Sequence, residues 1–595
     1  MIIPRLIDYY DRLAEDQDSD IAPFGWSRQK IKFIVTLTLD GKLHSVDEPP
    51  GDDAKAKKRF TLVVPGQSKP SGSGINPCFL WDNEVYMLGV ERQDKDPSWS
   101  QVRFKAFRDR LLGLEAQIND THFSAVCSFL RSWQPGCLDR EATPLTGFGI
   151  FRVIDPAFHG YVHEREAVRT FWTSLENTND GSGTMAPSAV SGRFQTVARL
   201  HEPKIKGVMN AQSSGALLVS FNDDAYLSYG KEQGYNAPVS ERDAFRYCTA
   251  LNRLLANPRR VYRIGGTTVV YWASAPHPVE DITGAILSSP EDEETARRLE
   301  ACLDSAVRGL PSDFTVGSDV RFFILGLSPN AARLAVRYWI DTSVGEFMEH
   351  LKTHALALTL AGAPGGYRFP SIRDIVAETV PLKAGWPDED RVSPTLAGET
   401  ARAVLTGAPY PQGLLSSVLR RARIDGGVSA NRKLWMSALH RRAAIVRGCL
   451  CRNHALNQEA LMSLDPSYPS VPYQLGRLFA VLEKTQFEAL GEVNASLKDK
   501  FFGAASGTPV TAFPRLLRIH AHHLAKIEHP GRRINLERLA GSICDQVPAT
   551  RGFPSHLTLE EQGLFFLGYY QQRQDLYAKK AEADSYHSSH EGDSR

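Results

Sequence analysis

VRFFILGLSPNAARLAVRYW, Val320 to Trp339, is the stretch on which the fold assignment turns. Val320 to Leu327 is a short apolar run rich in β-branched and aromatic residues, the composition of a strand buried on both faces. Ser328 then offers a helix N-cap, and Pro329 suits a first helical turn, where its missing N–H has no intrahelical partner to lose. Ala331, Leu334, Ala335 and Tyr338 form one apolar stripe at helical spacing, and Ala332, Val336, Trp339 and Ile340 form a second. Only Asn330, Arg333 and Arg337 remain as a polar ridge. The stretch therefore reads as a strand, a tight turn and a mostly buried helix, with Arg337 and Asp341 paired at i,i+4 ahead of any phosphate site.

Strand-like patterns dominate before this stretch and helical patterns after it. Upstream, Ile3 to Ala14 has the spacing of an amphipathic helix, and Lys32 to Leu39 and Phe60 to Val64 read as strands, with Asp40-Gly41 a hairpin signal. Phe79 to Val90 turns at Asp82-Asn83 into another strand. Ser98 to Trp133 is helical, Phe148 to Ile154, Gly160 to His163 and Gly215 to Phe221 are short strands, and Asp243 to Leu255 is a helix. Downstream, Thr395 to Leu405, Gly413 to Arg423, Tyr473 to Leu490 and Phe513 to Ile527 are helical, with a small-residue turn at Gly503 to Gly507. The fold class expected is α+β: a mixed α/β N-terminal half, then an all-α half ending in a helical bundle.

At 595 residues the chain is too long for one core, and about three or four domains are expected. The segments proposed are 1–150, 151–345, a helical basic connector 346–461, a bundle 462–580 and a disordered tail 581–595. Net charge is +1, so attraction to a polyanion must come from local charge. No apolar run of about 18 residues exists, and the start MIIPRLIDYYDRLAEDQ lacks a signal-peptide series, so a cytoplasmic protein without a membrane span is expected. The eight cysteines are scattered, as in reduced thiols; Cys449, Cys451 and His454 lack the second ligand pair of a zinc site.

Two features carry functional content. Pro65 to Pro77, PGQSKPSGSGINP, has the composition of a flexible surface linker, and its glycines would also let backbone N–H groups approach a base edge. Arg420 to Arg452 carries Arg420, Arg421, Arg423, Arg432, Lys433, Arg441, Arg442, Arg447 and Arg452 against a single acid, Asp425. One uncompensated sign over such a window points to a polyanion partner. Arg515, Arg518, His522 and Lys526 make a second basic ridge on a later helix.

The chain has no G-x-x-x-x-G-K-[ST], H-E-x-x-H or G-x-S-x-G motif. A binding or assembly protein without cofactor or metal is expected ahead of an enzyme. The alternative is a metal-dependent nuclease or other nucleic-acid enzyme, suggested by the basic surface and by His520, His522 and His523.

Four stretches, IPRLIDYYDRLAED, SGSGINPCFLWDNEVYMLGVE, FFILGLSPNAARLAVRYW and YQLGRLFAVLEKTQFEALGEVNASLKDKFFGAASGTPVTAFP, resemble the large subunit of the type I-C CRISPR–Cas surveillance complex, Cascade. They run from the first residues to Pro514. The resemblance implies a non-catalytic subunit that reads the target-flanking motif (PAM) on duplex DNA, aids duplex opening and R-loop formation, and supports recruitment of a helicase-nuclease, while guide pairing supplies target specificity. The partners implied are a guide RNA, a backbone subunit in several copies, the RNA-processing subunit and a small subunit from an internal start near Met462, with Met436 second. In related complexes a glycine loop and a lysine approach the minor groove, which makes Lys69, Gly72, Ser73, Gly74 and Asn76 the expected motif readers. Arg432, Lys433, Arg441, Arg442, Arg447, Arg515, Arg518 and Lys526 would contact DNA phosphates, and Arg333 and Arg337 RNA or another subunit. Val320 to Trp339 becomes the packed hinge between the two halves.

Overall fold

The computed structural model describes the chain except residues 17–18, 20, 52–59, 67–68, 70–73, 93, 137–145, 180–182, 222, 289–292, 309–318, 366, 384–385, 426–431, 492, 494, 549–551 and 589–595. It divides into two units, residues 1–256 with 329–335, and residues 257–328 with 336–595.

One long strand, Trp26–Leu37, organises the first unit. Its first half pairs antiparallel with Thr61–Pro65, Trp26 opposite Pro65. Its second half pairs antiparallel with Leu43–Asp47 and parallel with Phe148–Val153, Ile34 opposite Ile150, and Trp81–Asn83 closes that edge. The Asp40-Gly41 turn forms as expected, with Gly41 at φ +80°. Ile31, Ile34, Val64, Trp81 and Ile150 meet in the core beneath. The helix Ile2–Glu15 packs on Glu241–Ala256, with Arg246 2.8 Å from Asp11 and the rings of Tyr10 and Phe245 edge to face.

Three strand expectations fail here. Asn83 accepts the N–H groups of Val85 and Tyr86, so Glu84–Leu88 is a capped helical turn instead of a strand. Gly160 to His163 leads into a 3-10 turn at Val162–Glu164. Gly215 to Phe221 makes only single bridges, Ala216 with Ile205 and Leu217 with Arg333.

Val320 to Trp339 does not fold as a strand, a tight turn and a helix. Arg321–Asn330 and Arg333–Ser343 are two adjacent strands joined at Ala331 and Ala332, so the expected helix is the second arm of a hairpin. They extend a four-stranded sheet with Thr267–Ala273 and Val261–Ile264. The helical stripes were real as spacing, but Val336, Tyr338, Trp339, Ile340 and Thr342 are β-branched or aromatic, and a paired strand gives them partners. Trp339 stacks on Phe323 with centroids 5.7 Å apart, and Tyr338 fills the space left by Gly326. Asp341 pairs with Arg321 and not with Arg337, whose Nε donates to Ser328 at 2.7 Å. Ser328 is thus a partner across the hairpin. The true cap is Ser343, which forms a capping box with Glu346 at the start of Val344–Leu358. The turn residues 329–335 group with the first unit, where Leu217 exchanges backbone hydrogen bonds with Ala332 and Leu334.

Beyond Ser343 the regular elements among the described residues are helices apart from the short Leu382–Lys383/Trp386–Pro387 ladder, which agrees with the expected fold class. Gly503 to Gly507 lies inside the helix Leu497–Gly507, not in a turn, and the last helix, Leu559–Ser588, runs into the stretch expected to be disordered. Val471–Leu490 and Leu559–Ser588 form the spine of the bundle, with Phe479, Phe502, Phe565 and Tyr569 as an aromatic layer between neighbouring helices.

Candidate nucleic-acid interface

The chain leaves the sheet at Pro65 for the glycine loop and re-enters it at Trp81. Its stems are fixed by Trp81, whose indole N–H donates to the Pro65 carbonyl at 2.6 Å, and by Phe79, stacked 4.9 Å from Trp172. Gly72 and Ser73 lie outside the described residues. Lys69 is not presented to a ligand. Its ammonium pairs with the fully buried Asp82 and lies 3.3 Å from the centroid of the Tyr86 ring. Asp82 also accepts the backbone N–H groups of Cys78 and Asn83, yet burial still pushes its carboxyl above the usual range, against the pull of Lys69. Lys69 therefore braces the base of the loop through Asp82 and Tyr86. Gly74, Ile75 and Asn76 are exposed, with the Asn76 N–H held on the Tyr86 hydroxyl at 3.2 Å.

The basic window is largely consumed inside the protein. Glu378 receives Arg441 on one carboxylate oxygen and Arg442 on the other, each at 2.7 Å. Arg442 also reaches Asp425, as does Arg421. Arg447 is fully buried and donates to the carbonyls of Leu356, Ala357, Gln458 and Ala460. Arg452 donates to the Ala403 and Ala408 carbonyls over the Tyr410 ring. Arg442 and Arg447 thus belong to the core and leave the set of expected phosphate contacts, and Arg441 keeps only a partly exposed guanidinium. Arg432 and Lys433 open the helix Arg432–Asn453, and their side chains lie outside the described residues. Sequence reading missed Glu378 because it stands 63 residues before Arg441, in a different helical turn.

The later ridge has the opposite character. On Pro509–Leu524 the apolar residues Ala512, Phe513 and Leu516 face the bundle, and Arg515, Arg518 and His522 are exposed, followed by exposed Lys526. Arg515 to His522 spans about 10 Å at 1.5 Å per residue, which matches the axial rise of about three base pairs at 3.4 Å each. Arg532, Arg533 and Arg538 on Pro530–Cys544 are also exposed, and Arg532 is tied to Glu488 at 3.1 Å. Sequence reading overlooked these three. His520 faces inward, and burial lowers its imidazole to about 4, so it adds no charge at neutral pH. Arg333 lies beside the Tyr226 ring and hydroxyl, and Arg337 is exposed with one donor on Ser328.

Among the described residues no group of three or more His, Cys, Asp or Glu side chains is arranged to hold a metal ion, and no helix is long and apolar enough to cross a membrane. No curated protein matches the chain. The family described as CRISPR-associated protein (Cas_Csd1) matches residues 6–577, nearly the whole length, and the chain belongs to that family.

Proposed function

We propose that this chain is the non-catalytic large subunit of a type I-C CRISPR RNA-guided surveillance complex. It recognises the target-flanking motif on double-stranded DNA, aids duplex opening and R-loop formation, and supports recruitment of the helicase-nuclease. Membership of the CRISPR-associated family over residues 6–577 is the observation that carries the reading. Gly72, Ser73, Gly74 and Asn76 are the motif readers, on a loop that Lys69 and Asp82 hold at its base. Arg515, Arg518 and Lys526 contact the DNA backbone, joined by Arg533 and Arg538, and Arg333 and Arg337 face RNA or another subunit.

Within the complex the chain works with the guide RNA, the repeated backbone subunit and the RNA-processing subunit. The small subunit starts near Met462, in the connection between Arg432–Asn453 and Val471–Leu490. In the full chain Leu559–Ser588 also packs on earlier helices, through Tyr570 on His440 and Arg573 over Trp435. A product lacking those helices has that surface to cover by other means.

Charge reversal at Arg515 and Arg518 tests the backbone role in the assembled complex. It should weaken all target DNA to a similar degree, and should flatten the dependence of log K on log salt by about 1.4 if two single-strand phosphates are lost. Binding titrations across a salt series measure this. An unchanged slope would return the ridge to a solvated or protein-facing surface.

A further inference from the structure

A turn in the first unit, residues 223–232 (DDAYLSYGKE), holds apolar side chains in solvent. Tyr229 is 99% exposed, and Leu227 and Tyr226 are 45% and 37% exposed. Tyr229 also sits at φ 59° and ψ 23°, the left-handed region in which a bulky side chain is strained, and Gly230 follows at φ 67°. The turn is nevertheless firmly held. Asp223 accepts the Ala225 N–H at 3.0 Å, the Gly230 N–H returns to the Leu227 carbonyl at 3.0 Å, and the Asn236 side chain donates to the carbonyls of Lys231 and Gln233. Beside it the Tyr226 ring meets Phe221 edge to face, with the Arg333 guanidinium 5.9 Å from its centroid. Asp223, Asp224 and Glu232 outnumber Lys231 and Arg333, so this surface is net negative, and Asp224, Lys231 and Glu232 make no ion pair among the described residues.

We propose that this turn docks on a partner protein, with Tyr229 and Leu227 entering an apolar pocket whose rim carries lysine or arginine. A glycine would adopt the Tyr229 conformation without strain, so the local fold does not call for tyrosine there. A rigid aromatic side chain on a pre-ordered turn is what a protein interface uses as an anchor, because little freedom is lost when it binds. Nucleic acid fits poorly: a base stacked on Tyr229 would bring its phosphates beside Asp224 and Glu232, with Lys231 the one cation on the turn to offset them. A second copy of this chain also fits poorly, since a two-fold contact through the turn would set these acids against each other. A different protein with a basic surface satisfies both the apolar anchor and the charge, and proteins that hold nucleic acid carry such surfaces.

Placing that partner among the other subunits of the assembled complex rests on the proposed function, and the test separates the two. The full chain carrying the photocrosslinker benzoylphenylalanine at position 229 is assembled with the other subunits and guide RNA, irradiated and mapped by mass spectrometry. The crosslink should fall on a subunit other than this chain, in a peptide containing lysine or arginine. Y229G should weaken association of the full chain with the rest of the complex by about tenfold or more, as loss of an aromatic anchor does. The isolated Y229G chain should unfold at the same temperature as the parent or a higher one, since glycine relieves the strain, so lost binding is not lost folding. D224K/E232K should weaken association as well. Crosslinks to RNA, DNA or a second copy of this chain would overturn the proposal, as would normal association of both variants. If the parent chain joins the complex and both variants join equally well, only the docking assignment fails. If the parent chain itself does not join, the proposed function fails and this assignment falls with it.

Discussion

Gly568→Ala should open the C-terminal bundle at a much lower denaturant concentration than the parent chain. Gly568 and Gly476 are where Leu559–Ser588 and Val471–Leu490 come closest. A Cβ at Gly568 would lie 2.1 Å from the Tyr473 carbonyl oxygen, and one at Gly476 would lie 1.9 Å from that of Phe565. Both obstacles are backbone atoms within helices, Tyr473 in the first turn of its own, so no side chain can swing aside and the helices must separate. Separation thins the contacts of Phe479, Phe565 and Tyr569, adding lost packing to the steric cost. Overpacking a core usually costs about 1–3 kcal/mol, and a backbone clash of this depth belongs at or above the top of that range. The same substitution at Gly503 or Gly541, helical positions with nothing within 4 Å of the new Cβ, should instead stabilise by up to about 1 kcal/mol through helix propensity. Urea unfolding of the variants checks the sign reversal. Equal behaviour at all these positions would mean that the close crossing is absent.

Glu378→Gln should destabilise by about 3–5 kcal/mol, because it removes the one carboxylate that both Arg441 and Arg442 address. The Glu378 side chain is 4% exposed and that of Arg442 is 7% exposed, so water cannot replace the lost partner. Asp425 remains for Arg442 but is shared with Arg421, so the compensation is partial. Glu389→Gln is the matched control: its pair with Arg373 is half exposed on both sides, and an exposed pair is worth about 0–1 kcal/mol. Comparable losses at the two sites in thermal unfolding would argue against a buried network around Glu378.

These two sites also show what a single sequence conceals. The helices at Glu241–Ala256, Pro394–Thr406, Gln412–Ile424 and Val471–Leu490 were legible because their periodicity and caps are local. The Asp40-Gly41 hairpin was legible for the same reason. The Arg321–Ser343 hairpin was misread because Ser328 and Pro329 imitate a helix start, and only pairing with Thr267–Ala273 and within the hairpin shows which period matters. The basic window looked unopposed because Glu378 is far away in sequence and because carbonyls, which carry no letter in a sequence, satisfy Arg447 and Arg452. The partner of Lys69 was hidden for a similar reason, since Asp82 looked like a turn residue and is buried against it. The Arg515, Arg518 and Lys526 ridge was readable because an exposed face needs no distant residue to explain it.

The central claim is that this chain gives a surveillance complex its response to the bases flanking a target. The most direct measurement is equilibrium binding of the assembled complex, with and without this subunit, to duplexes identical except at those flanking bases. The account predicts that affinity depends strongly on the flanking bases when the subunit is present, and that this dependence vanishes when it is omitted. Discrimination that survives without the subunit, or that never appears with it, would contradict the account.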